Sequence, residues 1–407
     1  MIVAASIGNA LEWFDLLIYG YFAVTISKVF FPIGSDTASL LLALGTFGVS
    51  YLVRPLGAIV IGAYADRAGR KAALTLSILL MTLGTGLMAI MPGYASIGLL
   101  APVMVLVARL MQGFSVGGEF GSATAFLVEH SATRKGFFAS WQWASQGLTA
   151  LLASAFGIAL TTGLSAAQLE SWGWRLPFLF GVLIGPVGLY IRRHAAETPE
   201  FAQAQPTPQP LRRLLGQQKA RLALAVGAAV ISNSSNYLIL YMPTYAIKEL
   251  GLPQSVGFIA TLIGAVVLGT VAPLAGHLSD KIGRTRIMLT MTALFLLTAY
   301  PMFRLLATYP SLTVMILAVA WMSLLKAGYS GVLAAFLSEL FPTATRGVGM
   351  SLGFSISVTI FGGFAPFVST WLIAVTGDKL SPSFYLMATA LLSLTALIAA
   401  RRHLRLR

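Results

Sequence analysis

The stretch GAYADRAGRK at 62–71 is matched 214 residues further on by GHLSDKIGR at 276–284. Gly62, Asp66 and Gly69 of the first copy keep the spacing of Gly276, Asp280 and Gly283 in the second. Basic residues fill the same turns, Arg67 and Arg70 in one and Lys281 and Arg284 in the other. Each copy follows one long apolar run and precedes another. Glycine permits a tight turn and close backbone approach. An aspartate there can meet a helix N-terminus or an arginine of a neighbouring segment. One copy alone would read equally well as a solvated charged turn. Two copies at matched positions point to an internal duplication and to a latch that closes and releases. A weaker pair supports the repeat: Glu129 with Arg134 after the fourth apolar run, and Glu339 with Arg346 after the tenth.

The composition around these motifs is that of a chain solvated by lipid. Of 407 residues, 57% are hydrophobic and 10% charged, and the mean hydropathy is +0.82. Soluble domains carry about 25% charged residues. A cytosolic enzyme, a secreted domain and a disordered chain are excluded on that ground. Cysteine is absent, so no disulfide or thiolate chemistry is available. The histidines (His130, His194, His277, His403) are too scattered for a metal cluster, and no metal or cofactor is expected. The polar Asn9, Glu12 and Asp15 interrupt what would be a signal core, so the first run is expected to be a retained span.

A spanning helix needs about 20 mainly apolar residues. Twelve stretches qualify, near 6–30, 38–64, 73–92, 98–127, 137–162, 174–191, 221–247, 256–279, 286–306, 311–340, 347–375 and 383–400. With the N-terminus cytoplasmic, 19 of the 27 Lys and Arg fall in cytoplasmic segments and 5 on the opposite side. That asymmetry predicts both termini inside. It also accounts for the net charge of +14 without nucleic acid. The predicted fold is all-α and integral to the membrane, with twelve helices in two pseudo-symmetric six-helix bundles. The polar segment 192–220 divides the chain into a first bundle, 1–191, and a second, 221–407.

Several motifs now carry a resemblance. The repeated turn is that of the major facilitator superfamily, over essentially the whole chain. GNALEWFD (8–15), LVRPLG (52–57), RLMQGFSVGGE (109–119), WQWASQ (141–146) and FGGFAP (361–366) look more specifically like its metabolite:proton symporter branch. Within that branch the chain is most similar to citrate and tricarboxylate carriers. Other members carry dicarboxylates, shikimate, or proline and betaine. The osmoregulatory members have a long C-terminal coiled coil, and a chain ending at Arg407 is expected to stand apart from them.

The remaining basic residues, Arg54, Arg109 and Lys326, lie inside predicted spans. Ionisable groups within a membrane are costly and default to function. Glu12 and Asp15 are three apart and share a helix face, a stripe that Asn9 and Tyr19 extend. They are the proton-coupling candidates, joined by Glu119; the alternative for Glu12 and Asp15 is a permanent ion pair with Arg54. Arg109 lies ~16 Å below the outer end of its span at 1.5 Å per residue. The resemblance to sugar porters implies that it pairs with Asp15. Direct contact with a substrate carboxylate is the other reading, since a guanidinium suits a bidentate contact. Lys326 stands three residues, roughly one turn, beyond the repeat position of Arg109. A cation from each half would clamp an anion between the halves. Arg54, before Pro55, reads as a structural or gating cation. Gln142 and Gln146 on span five, and Asn233, Asn236 and Tyr237 on span seven, are expected to line the cavity with Tyr19. Ser351, Ser355 and Thr359 read rather as interhelical glue. Trp172 and Trp174 are expected at the outer interface.

These readings converge on a transporter rather than an enzyme. The expected activity is proton-coupled import of an anionic organic acid, citrate or another di- or tricarboxylate, by alternating access of two rocking halves. A carrier of shikimate or a zwitterion is the alternative. A drug/proton antiporter is disfavoured, because QGLTALLASAFG (146–157) on span five lacks a proline. The expected partners are a small organic anion, protons and the lipid of an inner membrane, with one chain sufficient for a pathway.

Overall fold

The computed structural model describes residues 13–68, 70–116, 134–194, 210–342 and 345–404. Among them there is helix and no strand. In a bilayer every backbone N–H and C=O must be satisfied within the chain, and a helix does so locally. Each of the twelve apolar stretches accordingly holds helix. These are α1 (Trp13–Tyr21 and Ala23–Phe30), α2 (Asp36–Leu52 and Arg54–Ala68), α3 (Arg70–Ile90), α4 (Leu100–Val116), α5 (Lys135–Gly163) and α6 (Arg175–His194). The second half contains α7 (Lys219–Lys248), α8 (Gln254–Ile282), α9 (Arg284–Thr308), α10 (Leu312–Leu340), α11 (Arg346–Thr376) and α12 (Ser381–Leu404). Eight of the described helices are long and apolar enough to cross a membrane by themselves, nine when the two parts of α1 count as one.

Local chemistry sets several boundaries. Ser35 Oγ accepts from the Ala38 amide, and Ser311 Oγ from the Val314 amide, capping α2 and α10. Between α8 and α9 the chain turns on Gly283, whose φ of 95° is one that side chains resist. This is the turn of the second GHLSDKIGR copy.

The expected helices differ from the observed ones in three places. First, α1 is bent by 72° at Phe22. Second, α11 contains a π-turn over Val358–Gly362, where the Gly363 amide reaches back five residues to the Val358 carbonyl at 2.7 Å. Third, the polar connection 192–220 contains a helix, Pro210–Gln217, with Leu214 fully buried.

Within the first half α3 packs on α4 and α6, and α2 on α4; within the second, α7 packs on α12, α8 on α10, and α9 on α10 and α12. The halves meet through α5 against α8 and α10, and through α2 against α11. Small residues bring the backbones together. A Cβ on Gly136 would strike the Gly276 carbonyl, and one on Gly276 the Gly136 carbonyl. Across α2 and α11, Thr359 Oγ1 donates to the Tyr51 carbonyl at 2.9 Å.

Candidate functional site

Two polar clusters lie inside the bundle. The first joins α1, α3 and α4. Asp15 and Arg109 are both buried, and Arg109 is fully inaccessible. Arg109 Nη1 stands 3.4 Å from Asp15 Oδ2. The same nitrogen donates to Gln112 Oε1 at 2.6 Å. Gln112 Nε2 donates to Asp15 Oδ2 and, at 3.2 Å, to Thr85 Oγ1. The guanidinium lies 4.3 Å over the Tyr19 ring and 5.4 Å over that of Phe47. Such stacking suits a weakly hydrated, planar cation.

The second cluster lies between the halves. A chamber of about 30 Å³ is lined by Leu17 and Tyr21 of α1, Ala150 of α5, Asn236 and Leu240 of α7, Thr261 of α8, and Ser323 and Lys326 of α10. Lys326 Nζ donates to Asn236 Oδ1 at 2.5 Å and lies 5.7 Å from the Trp143 ring centroid. Among the described residues no carboxylate lies within ion-pair distance of it. Tyr21 and Thr261 of the lining meet Ser154 in a cluster of hydroxyls, with Ser154 Oγ 3.0 Å from Thr261 Oγ1.

The structure thus separates residues that the sequence placed in one cavity. Lys326 and Asn236 line the chamber together. Arg109 does not; it is packed into the first cluster with Asp15. Tyr19 turns its hydroxyl to the Ala43 carbonyl at 3.0 Å. Asn233 donates to Ser357 Oγ on α11 at 3.2 Å, a contact between helices. Gln142 and Gln146 are buried on α5 outside the chamber lining. Tyr237 packs edge-on against Tyr51 at 5.3 Å. Arg54 stacks over Tyr51 at 4.0 Å and over Trp13 at 5.7 Å. Asn9, Glu12, Glu119 and Glu129 lie outside the described residues. Trp172 is exposed, and Trp174 is fully buried against Phe30 and Phe178. Gln112, Thr85, Tyr21 and Thr261 were given no role by the sequence reading. Gln112 was within reach of it, being a polar residue one turn from Arg109 in an otherwise apolar helix.

Both ends of the interface between halves carry polar contacts. Where α5 begins, Asp280 accepts from the Gly136 and Phe137 amides at 2.9 and 3.1 Å. The carboxylate of the second half therefore caps a helix of the first. Arg284 Nε binds Glu339 Oε1 at 2.7 Å, and its Nη1 lies 3.5 Å from Asp280. Arg346 Nε donates to the Ser338 carbonyl, and Arg134 precedes α5. In the first copy Gly62, Asp66 and Arg67 fall in the last turns of α2 and Arg70 opens α3, while Gly69 lies outside the described residues. At the opposite end Lys248 Nζ of α7 binds Asp36 Oδ2 of α2 at 2.7 Å. This pair edges a surface cleft of about 300 Å³ that also includes Lys28. Glu249, in the turn after α7, has its carboxyl pushed above the usual range by burial, against the pull of Lys379 and Lys248. Among the described residues no group of three His, Asp or Glu is placed to hold a metal ion.

A helical bundle with a duplicated interhelical turn, a cation in a central chamber and interlocking contacts at both ends defines a membrane transporter. The chain belongs to the Major Facilitator Superfamily, whose sequence profile matches residues 5–272 and again 253–405. It is 39% identical to the citrate-proton symporter of Klebsiella pneumoniae over 97% of this chain and 90% of that one. It is also 33% identical to the glycine betaine/proline/ectoine/pipecolic acid transporter OusA of Dickeya dadantii, over 97% of this chain and 81% of that one. In fold it is similar to the xylose transporter XylE from E. coli in a partially occluded inward-open form. There the TM-score is 0.77 at 16% identity, over 99% of this chain and 97% of that one. Its relatives are multi-pass transporters and not enzymes.

Proposed function

We propose that this chain is a proton-coupled symporter that imports an anionic organic acid, citrate or another di- or tricarboxylate. The observation that carries the reading is Lys326, a buried cation facing the chamber with only an amide oxygen as its polar partner among the described residues. A cation in that position favours a negatively charged cargo. The citrate-proton symporters of Klebsiella pneumoniae and of Salmonella typhi, 39% and 38% identical, support the same class. Asp15 is the proposed proton carrier, because it is the buried acid held against Arg109.

The cycle would be alternating access, with the bundles 1–191 and 221–407 rocking about the chamber and 192–220 tying them together. Asp280 with Arg284 and Glu339, and Asp66 with its neighbours in the first copy, would latch the face that opens inward. The basic-residue asymmetry supports both termini inside, and the bacterial symporter relatives support placement in an inner membrane.

The test is uptake of labelled citrate into proteoliposomes under an inward pH gradient, with and without a protonophore. Accumulation that requires the gradient supports the proposal; its absence in folded protein rejects citrate. A zwitterionic cargo such as proline or betaine is the second reading. It is favoured by OusA and by there being one cation among the described residues that line the chamber. Competition by these solutes in the same vesicles separates the two.

A further inference from the structure

Gln112 makes three buried side-chain contacts that link three helices. The direction of its amide is fixed by its neighbours. The Thr85 hydroxyl spends its proton on the Met81 carbonyl at 2.9 Å, so toward Gln112 it can only accept. The amide nitrogen therefore faces Thr85 and Asp15, and the amide oxygen faces the donors of Arg109. Gly84 of α3 holds the stem in place: a Cβ there would stand 2.7 Å from Gln112 Cγ. Asp15 Oδ2 receives this amide, while Oδ1 has no hydrogen-bond partner among the described residues.

The consequence is a loosened ion pair. Arg109 Nη1 is 3.4 Å from Asp15 Oδ2, where a charge-assisted contact is usually about 2.7–2.9 Å. The nitrogen is instead drawn to Gln112 at 2.6 Å. Around Asp15 the described groups are Arg109 on α4, Thr85 on α3, the backbone of Gly181 on α6, and Tyr19 one turn along α1. From α2, Phe47 stacks beneath the guanidinium.

We propose that Gln112 is the positioning residue of the proton site. Its locked amide bridges Arg109 and Asp15, accepting from the one and donating to Oδ2 of the other, and leaves Oδ1 as the oxygen that takes the proton. The inference rests on the reading of Asp15 as proton carrier. Gln112→Ala removes the amide that donates to Oδ2, a bond that favours the charged carboxylate. The pH midpoint of gradient-driven citrate uptake then moves to more alkaline values by about one unit, a tenfold change in proton affinity. Gln112→Glu removes the same donor and adds a like charge beside Asp15, and moves the midpoint the same way and further.

Carbodiimide labelling of Asp15 against pH in the purified protein reads the same shifts without transport. Uptake scaled down equally at every pH, with the labelling midpoint unmoved in both variants, overturns the role of Gln112 alone. Uptake by the unaltered protein that ignores the proton gradient overturns the symport reading and this inference with it.

Discussion

Lys326 and Arg109 occupy neighbouring levels of the two halves, yet they do different work. Arg109 is held through Nη1 by Asp15 and Gln112 and is stacked on Tyr19. Lys326 keeps only Asn236 as a hydrogen-bond partner among the described residues and faces the chamber. Lys326→Gln should therefore abolish uptake of a carboxylate cargo while leaving the folded bundle intact. Losing one partner of a buried, hydrogen-bonded charge pair costs about 2–5 kcal/mol, or about 30- to several-thousand-fold in binding. The check is equilibrium binding of labelled citrate beside a thermal melt. Both cations were legible in the sequence, because a charge in an apolar run cannot be hidden. Their division of labour was not. The 214-residue repeat made them look equivalent, and the positions of Asp15 and Asn236 on other helices tell them apart.

Helix contacts depend on what is missing as much as on what is present. A Cβ on Gly57 of α2 would collide with the Phe114 carbonyl of α4, and a Cβ on Gly113 of α4 with the Ser50 carbonyl of α2. The two helices thus seat a glycine against each other's backbone twice. Gly57→Ala or Gly113→Ala should destabilise the first half by about 1–3 kcal/mol, the usual cost of overpacking. A lowered melting temperature in detergent is the readout. The positions of the helices were legible from their apolar length, but the bend at Phe22 in α1 was not. The break carries no proline, and the flanking residues continue the apolar run. The helix Pro210–Gln217 was legible and was overlooked: Leu211, Leu214 and Leu215 recur at helical spacing within a segment read as a polar linker.

At the scale of the whole molecule the duplication announced two halves, and the structure shows how they interlock. Asp280 reaches out of its own half to cap α5. No sequence pattern could have named that partner, because backbone amides have no side-chain signature. At the other end Lys248 and Asp36 join α7 to α2. Asp36→Lys should loosen this end of the interface, and adding Lys248→Asp should close it again. With no native cysteine, a single Thr261→Cys reports the change. Its labelling by a membrane-impermeant thiol reagent should rise in the single charge variant and fall back in the swap.

The chamber of about 30 Å³ is roughly the share of one water molecule in the liquid, far short of a molecule with several carboxylates. The proposed citrate cargo would therefore bind to molecules whose chamber has opened beyond the form described here. Apparent affinity then equals intrinsic affinity multiplied by the fraction of competent molecules. Loosening either end with the chamber wall untouched would make the protein a stronger binder without adding a contact. The interlocks at the two ends thus govern how much substrate must be present before the carrier fills.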